Sequence, residues 1–230
     1  IEAMRCPTSR RTPKLDTTPT VQAFGFDIKN RRNLSYAQAG LKPADLSNME
    51  VAWVVGFPGV VTMRSQAAVV GNSIFLPVGE NKNRVFAFDI SDKAKPCIQW
   101  VHDGERAFRT STGYGVRKDG VPIIMVGDIG GWTTAMDARN GQKLWITKTG
   151  LFDASTSTAT PVLVGDNVIA PSSQYEIMMA GQDHHVCCKL HGGVSAVNAV
   201  TGKIVWQTGT MEDAKPMSDR GVGQMLCGPA

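Results

Sequence analysis

No apolar run in this 230-residue sequence approaches the roughly 18 residues that a membrane-crossing helix needs. No basic stripe interleaved with aromatics is present either. The net charge of +4 is spread along the chain apart from a small Arg/Lys cluster over residues 5–14, which leaves no case for a nucleic-acid partner. There are only four His and five Cys, and no Cys-x-x-Cys-His, so the sequence attaches no c-type haem. An initiating Met and a signal-peptide pattern are missing too, since the first residue is Ile1. The expectation is a removed leader or an internal piece of a longer chain. What is present, 42% hydrophobic and 7% aromatic residues, suffices for a substantial folded core.

The chain is organised by a repeat. Residues 194–206 read as strand, tight turn and strand, with ten residues from Ala196 to Trp206; residues 135–145 repeat the same step from Ala135 to Trp145. Ala87-Phe88-Asp89 leading to Ile98-Gln99-Trp100 is a third copy, stretched by three residues, and Trp53 closes a poorer fourth over residues 49–55. Trp53 to Trp100 is 47 residues, Trp100 to Trp145 is 45, and Trp145 to Trp206 is 61, which is the period of a propeller blade with one insertion. Hairpin signals precede the copies: residues 67–70 and 74–77 flank Gly71-Asn72-Ser73, and residues 161–164 and 168–171 flank Gly165-Asp166-Asn167. A weaker one turns at residues 117–120 before the run 121–126.

Each repeat is therefore predicted as a four-stranded antiparallel blade, and the chain as an all-β partial propeller. Residues 1–23 read as a Pro-, Thr- and Arg-rich linker or arm, and 24–230 as about three full blades plus partial ones, roughly half of a ring. Alternating strand direction puts the tight first-to-second and third-to-fourth turns on one face. Connections from second to third strand, and from each Trp to the next blade, share the other, where ligand chemistry is expected. Asp89, Asp137 and Asn198 recur in the turn motif and are read as structural, their side chains accepting from backbone amides. The four Trp in register are read as packing between blades. Trp132, outside the register, is the one placed near a ligand.

One insertion stands out. Val168 to Ala196 is 28 residues, against 13 and 12 for the equivalent steps Ile74 to Ala87 and Ile123 to Ala135. It carries His184, His185 and His191 and the adjacent pair Cys187 and Cys188. Neighbouring cysteines admit a strained vicinal disulfide, two unrelated thiols, or a His/Cys metal cluster, the last lacking the spacers of a structural zinc site. Glu176, Arg109 and His191 have ordinary structural readings as an exposed loop carboxylate, a solvated loop cation and a satisfied histidine.

The Ala-x-Asp-Ala-x-x-Gly-x-x-x-Trp repeat resembles that of the pyrroloquinoline quinone (PQQ) propeller dehydrogenases. The run from Cys187 through Trp206, followed by Ala214-Lys215-Pro216, is similar to their polyvinyl alcohol dehydrogenase branch. This resemblance covers residues 24–230. It implies an eight-bladed quinoprotein propeller with PQQ on the axis, a nearby calcium, and oxidation of an alcohol, polymeric or secondary, with electrons leaving to a cytochrome c. Cys187, Cys188, Arg109, Ser172, Ser173 and His191 are the cofactor-binding candidates, and Glu176 the metal ligand. His191 stands where the branch usually has Arg, and Cys227 where it has Trp; the catalytic carboxylate is expected beyond Ala230. Family and vicinal cysteines together imply a periplasmic or secreted location. The competing class is a non-enzymatic scaffold propeller of the outer-membrane assembly type that binds other proteins.

Overall fold

The computed structural model describes residues 1–15, 18–79, 83–180, 182, 188 and 190–212. Among them, three antiparallel four-stranded sheets follow one another, each with its strands adjacent in chain order. The first comprises β1 (Ala68–Val70), β2 (Ser73–Val78), β3 (Arg84–Asp89) and β4 (Cys97–Asp103). The second comprises β5 (Gly113–Val116), β6 (Pro122–Gly127), β7 (Trp132–Asp137) and β8 (Lys143–Lys148). A two-residue strand, β9 (Ser155–Thr156), precedes the third, which comprises β10 (Val162–Val164), β11 (Asn167–Gln174), β12 (Gly193–Asn198) and β13 (Ile204–Gly209). β9 pairs with the far end of β11. This is the all-β partial propeller that the repeat predicts.

Successive sheets stack through apolar faces. In β6, Ile124 and Val126 enter the cluster shared with Phe75, Val85 and Trp100 of the first sheet, while Ile123 and Met125 enter the one shared with Val168 and Val197 of the third. A strand alternates its side chains between faces, so burial on both sides demands the continuous run Ile-Ile-Met-Val rather than an apolar/polar alternation. Each such side chain stabilises by about 1.5–3 kcal/mol.

The ten-residue Ala-to-Trp step is a cross-strand pair. Ala87 faces Trp100, Ala135 faces Trp145 and Ala196 faces Trp206, and in all three sheets the register slips by one residue immediately after that Ala. A small residue opposite the indole leaves it room, and the bulge adds local twist to the outer strand. Trp100 Nε1 donates to the Ala138 carbonyl at 3.0 Å and Trp145 Nε1 to that of Ala199 at 2.9 Å, so each tryptophan clasps the turn of the following sheet. The turn glycine has two reasons to lack a side chain. Gly141 and Gly202 have φ of +74° and +71°, and a Cβ there would stand 2.5 Å from the Trp100 ring and 2.7 Å from Trp145. The turn side chains act as expected, with Asp89 accepting from Ser91 N, Asp137 from Arg139 N, and Asn198 from Val200 N and Thr201 N.

The outer two tryptophans differ from expectation. Trp206 is 44% exposed and Trp53 36%, because neither faces a following turn among the described residues. Residues 49–55, expected as a strand, form none; Val51 and Val54 are 79% and 83% exposed. A β-pattern needs a ladder partner, and the described residues before β1 contain short helical turns and two isolated bridges, at Arg5 and Val21, rather than a strand to pair with. The segment beyond it nevertheless docks, with Val55, Phe57 and Val60 covering Phe86, Phe88 and Ile98 on the outer face of the first sheet.

The N-terminal residues are also held there. Cys6 is disulfide-bonded to Cys97, Cys6 N donates to Ile98 O at 2.9 Å, and Arg10 Nε donates to Asp89 Oδ1 at 2.8 Å. Sequence reading missed this bridge, since 91 residues separate the partners and no spacing rule connects them.

His102 of β4 packs between the first two sheets, its Nδ1 2.9 Å from the Gly141 carbonyl. Burial is the main cause that holds its imidazole below the ordinary 6.5, with the Gly141 carbonyl pulling the other way. The fold therefore prefers the neutral ring, and this contribution is fully present above about pH 6.5 and lost as pH falls through the depressed folded value. Melting curves at about pH 7.5 and 5 are expected to show a larger drop for the wild type than for His102→Gln; equal drops would remove His102 as a source of the pH dependence.

Candidate functional site

Strand alternation places the second-to-third connections and the crossings between sheets on a common face, and the candidate residues lie there. β11 runs on to Gln174, a 3-10 turn at Glu176–Met178 follows, and the chain re-enters β12 at Gly193. Ser172 is buried, with Oγ 3.4 Å from the Gly193 carbonyl. Ser173 shares a 3.0 Å hydrogen bond with Thr158. Glu176 is buried rather than an exposed loop carboxylate, and its Oε2 accepts from Leu190 N at 2.7 Å. His191 is buried as well, with Nδ1 2.8 Å from the Gly192 carbonyl and its ring edge-on to Phe152 at 5.0 Å. The insertion thus gathers Ser172, Glu176 and His191 through the short stretch 190–193. His191 lines an open cleft of about 480 Å³ with Phe152 and Gln207.

Cys187 lies outside the described residues, as do His184 and His185. Cys188 is half-buried and disulfide-bonded.

Arg109 stands on the crossing from the first to the second sheet, its amide donating to Gly127 O at 3.0 Å. Beside it is a group that motif reading overlooked. Arg106 lies over the Trp132 ring at 4.9 Å and 3.6 Å from Asp128 Oδ2, so one face of the ring expected near a ligand is covered by a guanidinium. Asp128 Oδ1 accepts from Gly130 N at 2.8 Å and Trp132 N at 3.0 Å. Burial raises its carboxyl above the ordinary 3.8, against those amides and Arg106. Ser157 N donates to Asp128 O, which joins the residue after β9 to this loop.

Thr156 Oγ1, Ser157 Oγ and Arg106 Nη1 are buried and have no hydrogen-bond partner among the described residues. The signal for this hydroxyl belt was available. Thr110-Ser111-Thr112 and Ser155-Thr156-Ser157 lie 45 residues apart, the same step as Trp100 to Trp145.

Residues 50–224 match the PQQ_2 family, described as outer membrane protein assembly factor BamB. The chain belongs to the PQQ_2 family. Two curated relatives are polyvinylalcohol dehydrogenases, as the sequence resemblance implies. That of Pseudomonas sp is 29% identical over 94% of this chain and 33% of its own length. That of Sphingopyxis sp. (strain 113P3) is 26% identical over 100% and 34%. The chain thus spans about a third of the curated relatives it matches.

Among solved structures, quinohemoprotein alcohol dehydrogenase from Comamonas testosteroni superposes with a TM-score of 0.62 at 18% identity, covering 90% of this chain and 29% of that one. A europium-containing methanol dehydrogenase gives 0.56 at 22%, covering 72% and 28%. Identities this low speak for the shared propeller fold alone.

The donor set of this PQQ_2 chain fits an anionic, acceptor-rich ligand. Among the described residues, the buried hydroxyls of Thr156 and Ser157 have no acceptor, and the Arg109 guanidinium pairs with no carboxylate. It does not by itself fit calcium. Among the described residues no three His, Cys, Asp or Glu side chains converge, and Glu176 stands as a lone carboxylate where calcium takes about six to eight oxygens.

Proposed function

We propose that this chain is part of a quinoprotein alcohol dehydrogenase that oxidises an alcohol, polymeric or secondary, with PQQ as hydride acceptor. One observation carries the reading: in a PQQ_2 chain, Ser172 and Glu176 hydrogen-bond the backbone of the stretch that brings His191 back from the one long insertion, on the face that also bears Arg109. PQQ, when bound, supplies an adjacent quinone that takes up hydride and hands electrons on to a cytochrome c.

The chain's own residues bind and orient. Arg109 pairs a carboxylate in fork geometry, and the hydroxyls of Ser172, Ser173, Thr156 and Ser157 meet polar edges. The disulfide sulfur of Cys188 offers an apolar contact, and Glu176 an oxygen to calcium. His191, packed against Phe152 and the Gly192 carbonyl, holds the loop and turns its ring toward the cleft. The base that removes the hydroxyl proton is assigned to the remainder of a longer polypeptide. A periplasmic or secreted location is supported by the Cys6–Cys97 disulfide, a bond that persists in oxidising compartments. No helix among the described residues is long and apolar enough to cross a membrane.

The family description supports a second reading, a propeller that presents loops to other proteins without turnover. Purifying the full-length protein and adding PQQ with calcium separates the two. Retained quinone absorbance and alcohol-dependent dye reduction are the expected result, whereas neither signal would leave the scaffold reading.

A further inference from the structure

We propose that Asn140 is a self-modification site: when the Trp100 clasp opens, the Gly141 amide nitrogen converts Asn140 to aspartate or isoaspartate, and the product loosens the join between the first two sheets. The reaction needs only water and is independent of any cofactor.

Asn140-Gly141 is the single Asn-Gly pair in the sequence, and it lies in the tight turn between β7 and β8. Asn140 is exposed. The residue after it has to be glycine, because φ there is +74° and a Cβ would stand 2.5 Å from the Trp100 ring. That requirement has a chemical side effect. A glycine nitrogen has no side chain beside it to hinder its approach to the preceding amide carbon, so the residue that lets the sheets interlock also leaves Asn140 open to attack.

The closed turn engages both reacting groups. Gly141 N donates to Asp137 O at 2.8 Å, and Asn140 Oδ1 accepts from Gln142 N at 2.9 Å. From the first sheet, Trp100 Nε1 bonds the Ala138 carbonyl, the indole covers Gly141, and His102 Nδ1 lies 2.9 Å from the Gly141 carbonyl. Reaction therefore requires local opening of this seam. The Gly141 nitrogen lone pair then forms a bond to Asn140 Cγ, the Cγ–Nδ2 bond breaks, and Nδ2 leaves as ammonia with the proton given up by the Gly141 nitrogen. Water opens the resulting cyclic imide. Addition at Cγ gives aspartate on the original backbone, whereas addition at the main-chain carbonyl carbon of residue 140 gives isoaspartate, with the backbone routed through Cβ and Cγ. No oxidant or reductant takes part. The longer backbone of isoaspartate displaces Gly141 from beneath the indole.

The third sheet holds the same turn without the reactive amide. Thr201 precedes Gly202, and its Oγ1 accepts from Lys203 N at 3.3 Å, as Asn140 Oδ1 does from Gln142 N. Thr147, two residues after Trp145, donates to the Gly202 carbonyl at 2.6 Å, where His102, two after Trp100, meets that of Gly141. Asn140→Thr therefore keeps the turn and removes the amide.

The test incubates the full-length protein at mildly alkaline pH, folded and in urea, and follows the tryptic peptide 140–143 by mass spectrometry. Isoaspartyl methyltransferase labelling gives the isoaspartate share. Residue 140 is expected to convert in urea, and about tenfold or more slowly in the folded protein. Trp100→Phe, which keeps most of the ring and loses the Nε1 bond, should convert about fivefold faster than folded wild type. Wild type carrying the conversion should melt below fresh protein, while Asn140→Thr should melt alike before and after the same incubation.

No conversion of residue 140 in urea, equal rates folded and unfolded, a Trp100→Phe rate equal to that of wild type, or unchanged melting after conversion would each overturn the proposal. If circular dichroism shows that Trp100→Phe does not fold, wild type in sub-denaturing urea replaces it. The rate should then climb ahead of global unfolding, and a rate that climbs only with it overturns the gate at Trp100.

Discussion

Replacing Trp145 with Ala is expected to lower the stability of the protein by about 3–5 kcal/mol, the range for truncating a buried large aromatic. Three local losses add up at this site. The indole is nearly fully buried among Ile123, Met125, Val168 and Val197, its Nε1 bonds the Ala199 carbonyl at 2.9 Å, and its ring lies against Gly202 of the next sheet. Ala would leave a cavity between two sheets whose backbones are fixed by their own ladders, so the gap cannot collapse. Trp145→Phe should cost less, since it keeps most of the area and forfeits the hydrogen bond, worth about 1 kcal/mol. Urea unfolding of the three proteins gives the ranking directly. A loss below about 1 kcal/mol for the Ala variant would show that sheet stacking does not depend on this clasp.

Removing the Cys6–Cys97 bridge should have a comparable effect. The partners are 91 residues apart, and the chain-entropy account assigns about 4–5 kcal/mol to closing a loop of that size, while measured losses for native bridges run at about 2–5 kcal/mol. The double variant Cys6→Ser/Cys97→Ser is the cleaner test, since reductant would also open the disulfide at Cys188. Its melting temperature should fall by several degrees, and limited proteolysis should cut within residues 1–15 before the sheets open. Unchanged melting would mean that Arg10 on Asp89 and Cys6 N on Ile98 O already hold the segment.

Much of the architecture could be read from residues alone, for identifiable reasons. The step from Ala135 to Trp145 encodes a cross-strand pair, the Asp or Asn of each turn encodes its hydrogen bonds, and the run 123–126 encodes burial on two faces. Residues 49–55 carry the same local pattern as β4 and β8 yet form no strand, because pairing depends on a neighbour and not on propensity. The site was legible in part. Ser172 and Glu176 bond the backbone of the stretch that carries His191, and Glu176 is buried where an exposed loop carboxylate was its ordinary reading. Arg106 and Asp128 carry no motif. Their importance lies in which partners they have or lack, and such pairing is invisible to a linear reading.

The two-sided burial of β6 has a consequence for how the middle sheet finds its alignment. Where one face is wet, a slip by a single position throws apolar groups into water and is rejected on that ground. Ile123, Ile124, Met125 and Val126 would be dry after such a slip, so desolvation cannot tell the right pairing from its neighbour. That choice falls to the hinges at the strand ends: Asp137 gripping Arg139 N, Gly141 seated beneath an indole, and the offset after Ala135 that no shifted pairing reproduces.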